Sequence, residues 1–230
     1  MNSRIKRVTH VIFDMDGVLL DTEPLYTVAI QNVVGKYGKV YDWSVKSHIL
    51  GLQGIEAPRK IVELLDLPIS PEELYELNKI QYNIVMKDAQ VISETAKVVE
   101  HLHKHNIPIA VATSSYEEIF HVKTAKHKDF FTLFNHIVCG GSDPEVKKGK
   151  PSPDIFLTCA SRFPDKPLPE NCLVVEDAPN GVAAAIAAGM QVIMIPDDNL
   201  SAELRKDAHL IVNSLDQAPL DLFGLPPFIS

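Results

Sequence analysis

Two aspartates, Asp14 and Asp16, close the apolar run VTHVIF (8–13) in the stretch VIFDMDGVLLDTE. Like charges about 4 Å apart at an effective dielectric near 20 repel by about 4 kcal/mol. A bound cation is the simplest offset for such a pair at the mouth of a buried strand. Other groups suited to the same chemistry follow other apolar runs. Thr113, Ser114 and Ser115 follow IPIAVA, and Glu176 and Asp177 follow CLVV. Lys150 stands in the loop KKGKPSPDIF, just before Pro151. Carboxylate oxygens in that density favour Mg²⁺, which takes one or two carboxylates together with waters and substrate phosphate. Hydroxyls and an amine are what a phosphate group needs beside it. Gly17 permits a tight turn that swings Asp16 off the strand axis.

These residues need elements to bring them together. Short apolar runs recur at 8–13, 107–113, 136–140, 172–177, 191–195 and 210–214. They are β-branched and continuous, not alternating, as in strands buried on both faces of a parallel sheet. Helical stretches separate the later ones, at about 93–105, 115–128, 152–162 and 180–188. The alternation predicts a doubly wound parallel α/β sheet, whose ligands lie at the carboxyl ends of the strands. More than 90 residues without a convincing strand separate the first two strands. Residues 24–37, 55–66 and 70–87 carry helical patterns there, and Ser70-Pro71 with Glu73 gives a strong helix start. The division expected is a discontinuous core, 1–19 and 88–230, and an all-helical cap domain, 20–87, inserted after the first strand and lying over the strand ends.

The segments DMDGVLLDTE, VATSS, GKPSPDIF and VVEDAPNGVAAAIAAGM resemble, in order, the four motifs of the haloacid dehalogenase superfamily of phosphotransferases. The resemblance spans essentially the whole chain. The helical insert resembles the cap of the β-phosphoglucomutase-like branch. THVIFDMDG, VKTAKHKDFFTLFNHIV and DPEVKKGKPSPDIFL are similar to the animal pseudouridine-5′-phosphatases. The resemblance implies Asp14 as nucleophile, through an aspartyl-phosphate, and Asp16 as general acid and then general base. It implies Thr113 and the Ser114 amide as phosphate ligands, and Lys150 as partner of both Asp14 and the phosphoryl group. It implies Mg²⁺ as cofactor, held by Asp14, the Asp16 main-chain carbonyl and Asp177, helped by Glu176. It also implies pseudouridine 5′-phosphate as substrate, with a small polyol phosphate such as glycerol 3-phosphate as the alternative. Gln53 and Glu56, on the cap loop GLQGIEAP, are the expected substrate-specificity residues.

Other chemistries fit less well. A dehalogenase has no use for the second aspartate. A sugar-phosphate mutase of the resembled branch carries an arginine in the cap loop, where LGLQGIEAPRK has no basic residue between Gly51 and Pro58. A phosphonatase needs a cap lysine as Schiff base, for which Lys46 is unmarked. A catalytically dead binding protein would not need every motif residue. His101 and His105 share a helix face, but no third zinc ligand lies near them in sequence. The formal net charge of −8 argues against nucleic-acid polymers and anionic membranes as partners. Cys139, Cys159 and Cys172 form no CxxC, and reduced thiols in a cytoplasmic protein are expected. The partner expected is a small phosphorylated metabolite, bound by a monomer.

Overall fold

The computed structural model describes residues 5–49, 52 and 54–228. In chain order the elements begin with β1 (His10–Phe13), β2 (Leu20–Asp21), α1 (Glu23–Val34), α2 (Trp43–Lys46), α3 (Glu56–Leu65) and α4 (Pro71–Val85). There follow β3 (Gln90–Val91), α5 (Ser93–Lys104), β4 (Ile109–Thr113), α6 (Glu117–Thr124), α7 (Lys128–Phe131) and β5 (His136–Cys139). The chain continues with α8 (Asp154–Ser161), β6 (Cys172–Glu176), α9 (Pro179–Ala187), β7 (Gln191–Met194), α10 (Ala202–Arg205) and β8 (Leu210–Ile211).

Among the described residues, six strands form a parallel sheet in the order β5-β4-β1-β6-β7-β8. Every residue of β1, β4, β6 and β7 is buried, as their unbroken apolar character requires. Ile12, Ala110, Val138, Val174 and Val192 share one core with Phe156 and Cys159 of α8 and with Ala184 and Ala185 of α9. The register pairs Phe13 with Val111 on one side and Val175 on the other. The carboxyl ends of β1, β4 and β6 therefore sit side by side, and the chemistry-bearing residues follow each of them.

Contacts divide the chain into two compact units. One holds residues 1–21, 91–120 and 127–230; the other holds 22–90 and 121–126. The second unit has its own core of Ile30, Val33, Val34, Tyr41, Ile61 and Leu74. Its α4 starts as its sequence implies: Pro71 opens the helix and Ser70 Oγ accepts from the Glu73 amide at 3.1 Å. The short segment 121–126 groups with it, which the pattern of residues 115–128 does not announce. The expected helix is α6, at 117–124, and a second short helix, α7, follows it. The break between them lets Phe131 meet Phe120 edge-on at 5.5 Å between ring centroids. No helix among the described residues is long and apolar enough to cross a membrane.

Candidate active site

Asp14 is the first residue past β1, and its amide still donates to the Val175 carbonyl at 2.9 Å. The chain then turns back: Leu19 and Leu20 donate to the Met15 carbonyl, and Gly17 donates to the Leu20 carbonyl, each at 2.9 Å. Gly17 has φ +76°, and a Cβ there would lie 2.2 Å from Asp177 Oδ2. The position demands glycine on both counts. The turn carries Asp16 out of the strand as expected.

Lys150 comes from the loop between β5 and α8, and only 4% of the residue is exposed. Its Nζ donates to Asp14 Oδ1 at 2.5 Å and to Glu176 Oε1 at 2.6 Å. The loop is fastened around Asp154. Asp154 Oδ2 accepts from the amides of Lys147 and Lys148 at 3.0 Å, and Oδ1 accepts from Ser152 Oγ at 2.6 Å. Arg162, just past α8, grips the same loop. It binds Asp143 through both terminal guanidinium nitrogens, at 2.6 and 2.9 Å, and Glu145 at 2.7 Å.

Glu176 ends β6 and is 1% exposed. Its Oε2 accepts from the Asp177 and Ala178 amides at 3.0 and 3.1 Å. Gly181, in the first turn of α9, leaves the space for this carboxylate: a Cβ there would sit 1.9 Å from Oε1. Asp14, Glu176 and Asp177 each bring a carboxylate oxygen into one group, all within 4.8 Å of one another. Burial raises the Asp14 pKa to about 7; the Lys150 ammonium opposes this, and the charges of Glu176 and Asp16 add to it. Burial pulls the Lys150 pKa down, but Asp14 and Glu176 outweigh it and hold the ammonium above the ordinary lysine range. Two buried carboxylates, Asp14 and Glu176, thus share one buried ammonium. The donor set, hard carboxylate oxygens with surplus negative charge, fits Mg²⁺.

β4 delivers the hydroxyls. Thr113 is fully buried, and its Oγ1 accepts from the Ser115 amide at 3.1 Å. Ser114 is exposed, and Ser115 is buried with its Oγ donating to Asp16 Oδ2 at 3.2 Å. At the start of α6 the Glu117 amide donates to Ser142 Oγ at 3.1 Å, which comes from the loop after β5.

Asp14, Asp16, Thr113, Ser115, Lys150, Glu176 and Asp177 all lie in the first unit. Glu56 is the first residue of α3 in the second unit, half-exposed and paired with Arg59 at 2.7 Å. Gln53 lies outside the described residues. Lys46 is paired with Glu23 at 2.9 Å. His101 and His105 each turn a ring nitrogen to a main-chain carbonyl, of Pro226 and of His101 respectively. The three cysteines stand as thiols, and burial pushes the Cys172 thiol up to about 12.

Two features of the site are not expected from sequence: the hydroxyl of Ser115 on Asp16, and the clamp of Arg162 and Asp154 on the Lys150 loop. The first joins residues 99 apart in the chain. Only the adjacency of two strand ends brings them together.

Residues 8–189 match the family model described as haloacid dehalogenase-like hydrolase. A probable pseudouridine-5′-phosphatase of Drosophila melanogaster is 47% identical over 227 residues, covering 99% of this chain and 98% of the relative. The (DL)-glycerol-3-phosphatase 2 of Arabidopsis thaliana is 41% identical over 224 residues, covering 96% of this chain and 93% of the relative. Among solved structures, a putative β-phosphoglucomutase from Thermotoga maritima superposes with a TM-score of 0.71 at 28% identity, covering 94% of this chain and 97% of that one.

Proposed function

The chain belongs to the haloacid dehalogenase-like hydrolases, and within that family of its phosphatase relatives we propose that it is a Mg²⁺-dependent phosphomonoesterase working through an aspartyl-phosphate on Asp14. One observation carries the assignment: a buried Lys150 ammonium sits 2.5 Å from the Asp14 carboxylate, beside a second group of acids at the end of β6. A carboxylate approaching a phosphate dianion meets repulsion that fixed cations must cancel.

Asp14 attacks the phosphorus atom and displaces the ester oxygen. Asp16 gives that oxygen its proton. Water then attacks the aspartyl-phosphate and yields its proton to Asp16, releasing inorganic phosphate and restoring Asp14. Dividing hydrolysis in this way replaces one hard step with two easier ones. The Thr113 hydroxyl and the Ser114 amide hold phosphoryl oxygens, and Lys150 pairs with Asp14 and with the transferred group. Asp14, Asp177 and the Asp16 main-chain carbonyl, with Glu176 beside them, would hold Mg²⁺, which when bound neutralises phosphoryl charge.

Pseudouridine 5′-phosphate is the substrate we propose, on the strength of the 47% identical relative. Uridine 5′-phosphate is its difficult competitor, with the same mass, charge and ribose. Pseudouridine exposes an extra ring N–H where uridine has a C–H. A buried acceptor for that N–H would be left unpaired by uridine, and such mismatches discriminate strongly. Gln53 and Glu56 are the acceptors proposed. The 41% identical relative favours glycerol 3-phosphate as the second candidate. The test is kcat/KM for the three phosphates side by side, with EDTA and Asp14→Asn as controls. Both controls should abolish phosphate release, and pseudouridine 5′-phosphate should lead. A value no better than that for uridine 5′-phosphate removes the substrate assignment. Turnover by Asp14→Asn near the wild-type rate removes the mechanism.

A further inference from the structure

A general acid must present one carboxyl oxygen to the leaving group while the other is held still. Asp16 stands on a turn, outside the ladder of β1. Its Oδ2 accepts from Ser115 Oγ at 3.2 Å. Ser115 is 9% exposed, and its own amide is pinned by Thr113 Oγ1 at 3.1 Å. Thr113 ends the buried strand β4 and is itself fully buried. The hydroxyl on Asp16 is therefore anchored through two residues to the centre of the sheet.

We propose that Ser115 is a positioning residue for Asp16, fixing which of its two oxygens carries the catalytic proton. In a carboxylic acid the carbonyl oxygen is the stronger acceptor, so a hydroxyl donating to one oxygen favours the proton on the other. While Ser115 donates to Oδ2, the proton of the acid form resides on Oδ1. In the first step Oδ1–H breaks as the bond from hydrogen to the ester oxygen forms. In the second step Oδ1 takes a proton from the attacking water. Oδ2 stays an acceptor throughout, so the same hydrogen bond serves both halves of the cycle. The inference rests on Asp16 acting as proton donor, as proposed above.

Leaving-group dependence separates this role from phosphate binding or simple packing. Phenyl phosphate expels a basic oxygen that needs the proton; 2,4-dinitrophenyl phosphate expels a stable anion that does not. Ser115→Ala should lower kcat/KM for phenyl phosphate about tenfold, a fraction of a full general-acid contribution, and for the dinitrophenyl ester by less than about threefold. Ser115→Thr, which keeps the hydroxyl, should recover most of the loss. Inhibition by inorganic phosphate should change by less than about twofold in Ser115→Ala, because ground-state phosphate binding does not use the proton. Equal losses on both esters with weakened phosphate inhibition would overturn the proposal and make Ser115 a phosphate ligand. Asp16→Asn serves as the reference. If it discriminates between the esters and Ser115→Ala does not, the assignment of Ser115 fails alone. If Asp16→Asn itself loses equally on both, the acid role of Asp16 fails and this inference fails with it.

Discussion

Lys150, Asp14 and Glu176 form a buried chain in which each charge answers another. Lys150 stands between two carboxylates at 2.5 and 2.6 Å, and Glu176 spends its second oxygen on two backbone amides. Glu176 thereby fixes the ammonium that faces Asp14, whether or not it also touches a metal. The arrangement leaves no slack at Gly181, whose missing side chain makes room for Glu176. Gly181→Ala would drive a methyl group into the carboxylate, and the nearest relief is to push Glu176 off its amides. We expect this variant to lose about 1–3 kcal/mol of stability, the usual cost of overpacking a tight interior. Its kcat should fall with little change in KM, because the damage reaches the reacting group through Lys150. Chemical denaturation together with steady-state kinetics checks both. A variant of unchanged kcat would show that Glu176 does not set the position of Lys150.

The loop between β5 and α8 brings Lys150 to the site, and ion pairs hold that loop to α8. Arg162 meets Asp143 in a two-pronged contact and reaches Glu145 as well. Asp143 is largely covered, and its hydrogen bonds from Arg162 hold the carboxyl below the usual carboxylate range. A depressed carboxylate contributes stability that is present above its unfolded pKa and is lost as pH falls through its folded one. Arg162→Gln should therefore cost about 1 kcal/mol near neutral pH, discounted for the partial exposure of Arg162. The gap from wild type should close as pH falls below about 4 and Asp143 takes up its proton. Parallel urea melts across that range measure it; a gap that persists in acid would assign the loss to packing of the arginine stem. None of this clamp is legible in the sequence, because Arg162 and Asp143 are 19 residues apart and each resembles ordinary surface charge. The strands are legible, since β1, β4, β6 and β7 are buried on both faces and so read as unbroken apolar runs. β2 and β3, of two residues each, are too short to show any period. The same contrast runs through the site. Asp14 and Asp177 directly follow strands, Lys150 stands in the loop leading into α8, and all three can be picked out by position. Outside that site, in the second unit, Lys123 escapes such reading: its spacing suits a solvated helix face, yet it is 1% exposed, with Nζ on the Tyr26 hydroxyl at 2.8 Å.

At the scale of the whole molecule, a chain of net charge −8 gathers carboxylates at the centre of its own sheet. That concentration of like charge works against folding, and a cation bound there would relieve it. Burial and the neighbouring acids already raise Asp14 to about 7. A ligand that binds only the folded state stabilises it by mass action, by about 2.7 kcal/mol at one hundred times its dissociation constant. Mg²⁺ should thus raise the melting temperature in a saturable way, without substrate and without turnover. Screening complicates the measurement, because any salt relieves the self-repulsion of an acidic protein. NaCl at matched ionic strength supplies the baseline, and the excess shift is the part that belongs to the site. Asp177→Asn removes one carboxylate from the group while leaving the Lys150 contacts to Asp14 and Glu176 in place. It should fold, melt near the wild-type temperature in NaCl, and lose the excess shift in MgCl₂. If wild type gains no more from MgCl₂ than from NaCl, the acids of β1 and β6 do not form a magnesium site. If Asp177→Asn keeps the full excess, the cation binds elsewhere on the acidic surface.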